Sequence, residues 1–290
     1  MTKDASADRS IAFQGELGAY SHLACTVLFP EMTPLPCPGF EDAFAAAEEG
    51  RAKLALIPVE NSVAGRVADI HHLLPGSKLH IIGEFFLPVN HHLLALPGTQ
   101  LSDIKEVRSH VHAIGQCRKF LRQNGLKAVV GHDTAGCAAE VARNGDKSVA
   151  AIASELAGKI YGLESLAANI EDAGHNTTRF LVMSPEAKPV DPRIGPMVTS
   201  FVFHVRNVPA SLYKAMGGFA TNGVNITKLE SYQINGAFSA TQFYADIEGH
   251  PDQPNVRLAL EELGFFSREV RILGVYPAHP YRFKARLTAE

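Results

Sequence analysis

The chain has 290 residues, 46% of them apolar and 20% charged, which is long enough for two ordinary domains with a core each. Its formal net charge of -3, with Lys and Arg scattered along the sequence, supplies no basic stripe; nucleic acid and membranes are excluded as general partners, and small molecules are favoured. Cys25, Cys37, Cys117 and Cys137 lie 12, 80 and 20 residues apart, a spacing that fits neither zinc nor a dithiol pair, so they read as small buried hydrophobes. The opening MTKDASADRS lacks the apolar run of a secretory signal, and no stretch of 18 apolar residues occurs, so a soluble cytoplasmic protein is expected.

In chain order, short apolar runs alternate with helical patterns. Ile11-Ala12-Phe13 precedes a helix from Tyr20 to Phe29, and Leu54-Ala55-Leu56-Ile57 precedes one from Val67 to Leu74. The pattern continues through His91 to Leu96, Val107 with a helix from about Ala113 to Leu121, Ala128-Val129-Val130 with a helix from about Ala135 to Ala142, and Val149 to Ala153. This is βα repetition, and it predicts an α/β unit of about 180 residues in two lobes. At residues 184–196, four prolines and one glycine forbid regular structure. Beyond this linker the order is strand (Thr199 to Val205), helix (Ala210 to Thr221), strand (Val224 to Ile234), strand (Phe238 to Ile247), helix (Gln253 to Leu263) and strand (Ser267 to Val275). Asn235-Gly236 supplies the middle hairpin turn, and βαββαβ predicts a ferredoxin-like sandwich.

Several common chemistries are absent from the sequence. Gly15-Glu16-Leu17-Gly18 has the wrong glycine spacing for a dinucleotide fingerprint, and no P-loop, His-Glu-x-x-His or Gly-x-Ser-x-Gly occurs. Ser102 with Lys105, and Ser211 with Lys214, fit Ser-x-x-Lys without its companion motifs. His71-His72 and His91-His92 stand among apolar residues with no carboxylate at ligand spacing, and read as packed or surface histidines. What remains are polar clusters at predicted strand ends, where open α/β sheets bind ligands. Gly15 to Ser21 turns a strand into a helix whose free amides suit an anion. Glu60-Asn61-Ser62 sets an acid, an amide and a hydroxyl after an apolar strand, and helix capping explains only one of them. Ser109-His110 ends another strand with Gln116 behind it, and Asp133-Thr134 opens a helix with Asp133 as its N-cap. Asn176-Thr177-Thr178-Arg179-Phe180 offers an amide, two hydroxyls, a guanidinium and a ring: an anion grip, a hydrogen-bond donor and a wall against water.

Taken in order, these motifs resemble prephenate dehydratase along the whole chain. They are Gly15-Glu16-Leu17-Gly18-Ala19-Tyr20-Ser21-His22; Pro58-Val59-Glu60-Asn61-Ser62 with Gly65 and Val67; Ser109-His110 with Gln116-Cys117; Asp133-Thr134-Ala135; Tyr161-Gly162-Leu163; and Asn176-x-Thr178-Arg179-Phe180. Gly223 to Ser231 resembles the ACT regulatory domain of that family. The resemblance implies a two-lobed catalytic domain like the type II periplasmic binding proteins (residues 1–184), a linker (185–197), an ACT domain (198–276) and a C-terminal tail (277–290), assembled as a homodimer or homotetramer.

It also implies decarboxylating loss of water from prephenate to give phenylpyruvate, with no cofactor and no metal. By family analogy Thr178 is the donor to the departing oxygen, with Glu60 and His110 as candidate relays. Substrate contacts are implied at Ser21, Asn61, Ser62, Ser109, Gln116, Thr134, Asn176, Arg179 and Phe180. Arg179 either pairs with a carboxylate or braces its loop, and Phe180 lies by the ring. Phenylalanine as effector is implied at Ala210, Ser211, Leu212, Asn225, Glu230 and Ser231, although the family's Gly-Ala-Leu and Glu-Ser-Arg-Pro read Ala210-Ser211-Leu212 and Glu230-Ser231-Tyr232-Gln233 here. Arogenate dehydratase, a non-catalytic ligand sensor and periplasmic solute capture are the alternatives, the last disfavoured by the missing signal sequence. With no fused chorismate mutase segment in the sequence, a monofunctional enzyme is expected.

Overall fold

The computed structural model describes residues 7–67, 70–233 and 240–287. The chain divides into two compact units, one built from the stretches up to Ile70 and Phe85–Phe180, the other from His71–Glu84 and Leu181 onward.

The first lobe begins with β1 (Ser10–Gln14), α1 (Tyr20–Leu28), β2 (Thr33–Cys37), α2 (Phe40–Glu48), β3 (Leu54–Asn61), the two-residue β4 (Gly65–Arg66), α3 (Ile70–Leu73) and β5 (His80–Pro88). The chain then builds the second lobe: β6 (His92–Ala95), β7 (Glu106–Ser109), α4 (Val111–Gln116), α5 (Arg118–Gln123), β8 (Lys127–Val130), α6 (Thr134–Asn144), β9 (Val149–Ala153), α7 (Glu155–Tyr161) and β10 (Glu164–Ala168). It returns to the first sheet as β11 (Thr177–Ser184). The strand orders are β2-β1-β3-β11-β5, with β4 beside β3, and β10-β6-β9-β7-β8. This double crossing makes the two-lobed α/β architecture of the type II periplasmic binding proteins.

The local chemistry accounts for most of these elements. Leu54 to Ile57 is buried throughout, as expected of a parallel strand covered on both faces. The α6 helix starts at Asp133, whose carboxylate accepts from Gly136 N, and stops at Gly145 with φ 70°. The β2 strand carries Pro34 and Pro36, which is tolerated because β2 is an edge strand. The single helix expected from Ala113 to Leu121 is instead two, α4 and α5, broken at Cys117, whose backbone leaves the helical region at φ -117° and ψ 22°. The helix expected from Val67 is the four-residue α3, and residues 68–69 lie outside the described ones.

The C-terminal sheet has the expected βαββαβ order: β12 (Met197–Val205), α8 (Ser211–Thr221), β13 (Ile226–Gln233), β14 (Ala240–Glu248), α9 (Pro254–Phe266) and β15 (Ser267–Pro277). Its antiparallel strands lie in the order β13-β14-β12-β15. Phe201, Phe203, Phe243, Ala245 and Ile247 meet Ala215, Phe219, Val256, Ala259 and Leu263 of the two helices in one core. The stretch after residue 277, read as a tail, contains a further helix, α10 (Tyr281–Leu287). The hairpin turn expected at Asn235-Gly236 lies outside the described residues.

Ala210, which precedes α8, is left-handed at φ 63°. A Cβ there costs about 1–2 kcal/mol, part of which a glycine returns through the freer unfolded chain. Ala210→Gly is therefore expected to stabilise the protein by about 0.5–1 kcal/mol, measured as a higher denaturant midpoint at unchanged slope.

Candidate active site

The last residues of β3, the first residues of β11, the start of α1 and the end of α4 converge through one chain of side-chain hydrogen bonds. Its polarity follows from the backbone. The Asn61 carbonyl oxygen accepts from the amides of Val63 (3.0 Å) and Ala64 (2.8 Å), so Asn61 Nδ2 must face the other way. Nδ2 donates to Thr178 Oγ1 (2.9 Å) and to Asn176 Oδ1 (2.8 Å). Asn176 Nδ2 then donates to Gln116 Oε1 (2.9 Å), which also accepts from His91 Nε2 (2.8 Å). The Tyr20 hydroxyl donates to Asn90 O (2.9 Å) and lies 2.7 Å from His91 Nδ1.

Two chemical consequences follow. Because Gln116 Oε1 accepts from both sides, no proton can pass along the chain, which is a positioning scaffold and not a relay. Because Thr178 Oγ1 accepts from Asn61, its own proton is available, and among the described residues Asn61 is its only hydrogen-bond partner. A half-buried hydroxyl held by an amide, with its proton free, is a ready donor to an oxygen placed beside it.

The structure places the other expected residues as follows. Arg179 is 3% exposed, and its Nη1 lies 2.9 Å from Glu60 Oε1, so the guanidinium braces the end of β3 against β11. His110 is the N-cap of α4: its Nδ1 accepts from His112 N, and among the described residues neither it nor Glu60 hydrogen-bonds the Thr178 hydroxyl. Ser109 is fully buried and donates to Ile152 O at 2.6 Å, so its hydroxyl holds two strands together. Ser62 donates to His175 O (2.6 Å) and accepts from Thr177 N (2.9 Å), clamping the entry to β11. Phe180 is 1% exposed; two residues beyond Thr178, its ring belongs to the interior and not to an accessible wall. Ser21 is buried in the first turn of α1, and Thr134 opens α6 half-buried.

The remaining motif residues join the lobes. Gly18, at φ +93°, lies so near α7 that a Cβ would stand 2.8 Å from Ala157 Cα. Its carbonyl accepts from Ser154 Oγ (2.6 Å), and the Tyr161 hydroxyl donates to Leu17 O (2.7 Å). In the C-terminal sheet, Asn225 is exposed and donates to Glu248, while Leu212 packs on the helical core. Ser211 opens α8, and Ser231 is exposed on β13. Glu230 pairs with Lys228 at 3.2 Å, in register with Tyr244 on the sheet face away from α8. Within one chain, Glu230 and Leu212 therefore lie on opposite faces.

Sequence reasoning missed His91 and Tyr20. His91 is 2% exposed, and burial lowers its pKa from the usual histidine value despite the neighbouring Glu171 and its bond to Gln116. Burial likewise raises that of Tyr20. Two signals were present: Tyr20 stands in the Gly15–His22 motif, and His91, read only as a packed or surface histidine, heads an apolar strand. A histidine whose folded pKa lies below its unfolded value of about 6.5 leaves folding unpenalised above that pH, and stability is lost as pH falls from there toward the folded value. The midpoint temperature of the natural chain is expected to drop between about pH 7 and 5, and the drop to shrink in His91→Gln.

Burial also pushes the thiols of Cys25 and Cys137 up, to about 12 and about 11, and that of Cys117 higher still, so none is a nucleophile at neutral pH. Among the described residues, no group of three His, Cys, Asp or Glu side chains is arranged to hold a metal.

The fold and site define a two-lobed α/β protein with a hydroxyl donor fixed by a chain of amide side chains, followed along the sequence by a βαββαβ domain. The family model for prephenate dehydratase matches residues 11–188. Over 277 residues the chain is 50% identical to the bifunctional N-acyl-homoserine lactone acylase/prephenate dehydratase of Komagataeibacter europaeus, covering 96% of this chain and 99% of that one. It is 40% identical over 282 residues to arogenate dehydratase/prephenate dehydratase 1, chloroplastic, of Arabidopsis thaliana, covering 92% and 71% respectively. Among solved structures it is similar to prephenate dehydratase in complex with L-Phe from Arthrobacter aurescens, with a TM-score of 0.85, 30% identity and 97% of each chain covered. The chain belongs to the prephenate dehydratase family of decarboxylating hydro-lyases. No helix among the described residues is long and apolar enough to cross a membrane.

Proposed function

We propose that this chain converts prephenate to phenylpyruvate at the Thr178 site, as a step toward L-phenylalanine. One observation carries the reading: Asn61 donates to Thr178, so the threonine proton is left for the leaving oxygen. The ring hydroxyl departs as its C–O bond breaks, the bond to the ring carboxylate breaks to release carbon dioxide, and that electron pair completes the aromatic ring. A threonine is too weak an acid to give up its proton outright, so Thr178 acts by hydrogen-bonding the departing oxygen. Arg179, buried against Glu60, braces the loop and leaves the carboxylates to the amide ends of α1 and α6, at Ser21 and Thr134. The ring carboxylate is best left weakly held, since a tight grip opposes its loss as carbon dioxide.

Residues 1–184 form the catalytic domain, 185–197 the linker, 198–276 an ACT regulatory domain and 277–290 a tail that includes α10. Phenylalanine is the proposed effector, bound at Ala210, Ser211, Leu212, Asn225, Glu230 and Ser231; the Arthrobacter aurescens relative in complex with L-Phe supports this. Since Glu230 and Leu212 lie on opposite faces of one sheet, the effector site draws on two paired copies, in a cytoplasmic homodimer or homotetramer.

Two further activities have a specific basis. The Arabidopsis thaliana relative's name includes arogenate dehydratase, and the Komagataeibacter europaeus relative's includes N-acyl-homoserine lactone acylase. Product formation from prephenate, arogenate and an N-acyl-homoserine lactone, each with the natural chain and Thr178→Ala, tests all three. Phenylpyruvate formation that collapses in the variant supports the proposal. A chain active only on arogenate or the lactone refutes it, and acylase activity surviving in Thr178→Ala assigns that reaction to other residues.

A further inference from the structure

The segment His71–Glu84 lies between two elements of the catalytic lobe yet belongs to the C-terminal unit, and three contacts grip it there. Arg271 of β15 donates to the carbonyls of Ser77 (2.9 Å), Leu74 (2.9 Å) and Pro75 (2.7 Å). Gly274 of β15 lies so close to Ile81 that a Cβ would overlap the Ile81 carbonyl. Arg282 of α10 forks onto Glu84, with Nε 2.6 Å from Oε1 and Nη2 2.8 Å from Oε2.

The third contact is the unusual one. The Glu84 side chain is 0% exposed, and so is that of Asp246, whose Oδ2 lies 3.7 Å from Arg282 Nη2. Arg282 Nη1 also donates to Thr227 Oγ1 (3.2 Å), and His279 N donates to Glu84 Oε1 (3.1 Å). A guanidinium between two buried carboxylates gains little net stability, because desolvation offsets most of the attraction. What a fork onto a carboxylate supplies is fixed geometry. The geometry it fixes is that of β5, on which Glu84 lies. Five residues further on, roughly 16 Å along an extended chain, Val89 N donates to Asn176 O at 2.8 Å. Asn176 is the link between Gln116 and Asn61, and Asn61 holds Thr178.

We infer that Arg282 is a positioning residue for the reaction: by clamping Glu84 it fixes β5 along its axis, and through Val89 and Asn176 it sets the Thr178 hydroxyl. The inference rests on the dehydratase reading for its catalytic consequence, and on β5 alone for its structural one. Arg282→Lys keeps the charge and loses the fork, and Glu84→Gln keeps the shape and loses the charge. Both are measured in the full chain, by steady-state kinetics on prephenate and by hydrogen exchange resolved at Val89 and, as a control, at Phe201 and Phe203 of β12. The expected result is a kcat about tenfold lower with KM within about twofold, and Val89 exchange about tenfold faster with β12 unchanged. A merely structural clamp loosens Val89 and β12 together, or lowers the melting temperature without moving kcat, and either result overturns the inference, as does unchanged Val89 exchange in both variants. If the natural chain forms no phenylpyruvate, the dehydratase reading fails, and selective loosening of Val89 still supports the clamp while its absence overturns it.

Discussion

Thr178→Val is expected to lower kcat for phenylpyruvate formation by about 10²–10⁴-fold, the range for a positioned donor that assists departure of a poor leaving group. The valine keeps the branched shape at the head of β11 and removes the single proton that the amide chain leaves free. Asn61 Nδ2 retains Asn176 Oδ1 as an acceptor, so the scaffold loses one bond and not its order. KM should therefore change little, since the lost interaction is one that strengthens as the oxygen leaves. The decisive comparison is kcat against KM in a variant whose melting temperature stays within a few degrees of the natural chain. A rise in KM at unchanged kcat would make Thr178 a binding residue and place the donor elsewhere.

Glu60→Ala is expected to act on stability first. Arg179 is 3% exposed and its guanidinium meets Glu60 at 2.9 Å, so removing the carboxylate takes one charged partner from a buried guanidinium. Breaking a fully buried pair costs about 3–5 kcal/mol, but Glu60 is 35% exposed, and water entering on its side brings the expected loss to about 2–3 kcal/mol. Urea denaturation should show this as a lower midpoint. The double variant Glu60→Leu with Arg179→Met should regain most of the loss, since a well-packed apolar pair often equals an ion pair of similar volume. If Glu60→Ala unfolds like the natural chain while kcat collapses, the carboxylate acts in the chemistry and the brace reading of Arg179 fails.

The βα repetition, the βαββαβ order and the family were legible because each is written locally. The apolar run Leu54 to Ile57 is a covered strand as expected, and the proline cluster at 185–196 carries no strand or α-helix, only one 3-10 turn at Pro192–Ile194. The edge strand β2 was not legible, because Pro34 and Pro36 read as breakers until the partner β1 supplies a single paired side. The break at Cys117 was equally hidden, since Val111 to Gln123 holds no proline and only Gly115 as a weak former. Of the candidate site, Asn61, Gln116, Asn176 and Thr178 do converge, whereas Ser109 and Phe180 are spent on the interior.

By itself the sequence determined the architecture, the family and the residue types from which a donor site is made, because hydrophobic period and short motifs are properties of neighbours along the chain. Only the tertiary structure decided what each polar group does. The amides of Val63 and Ala64 orient Asn61, Asn61 orients Asn176 and leaves Thr178 its proton, and a buried histidine 30 residues after Asn61 closes the chain. A hydroxyl's role depends on which of its hydrogen bonds are already taken, and that is settled by partners 115 and 117 residues apart, which no local pattern records.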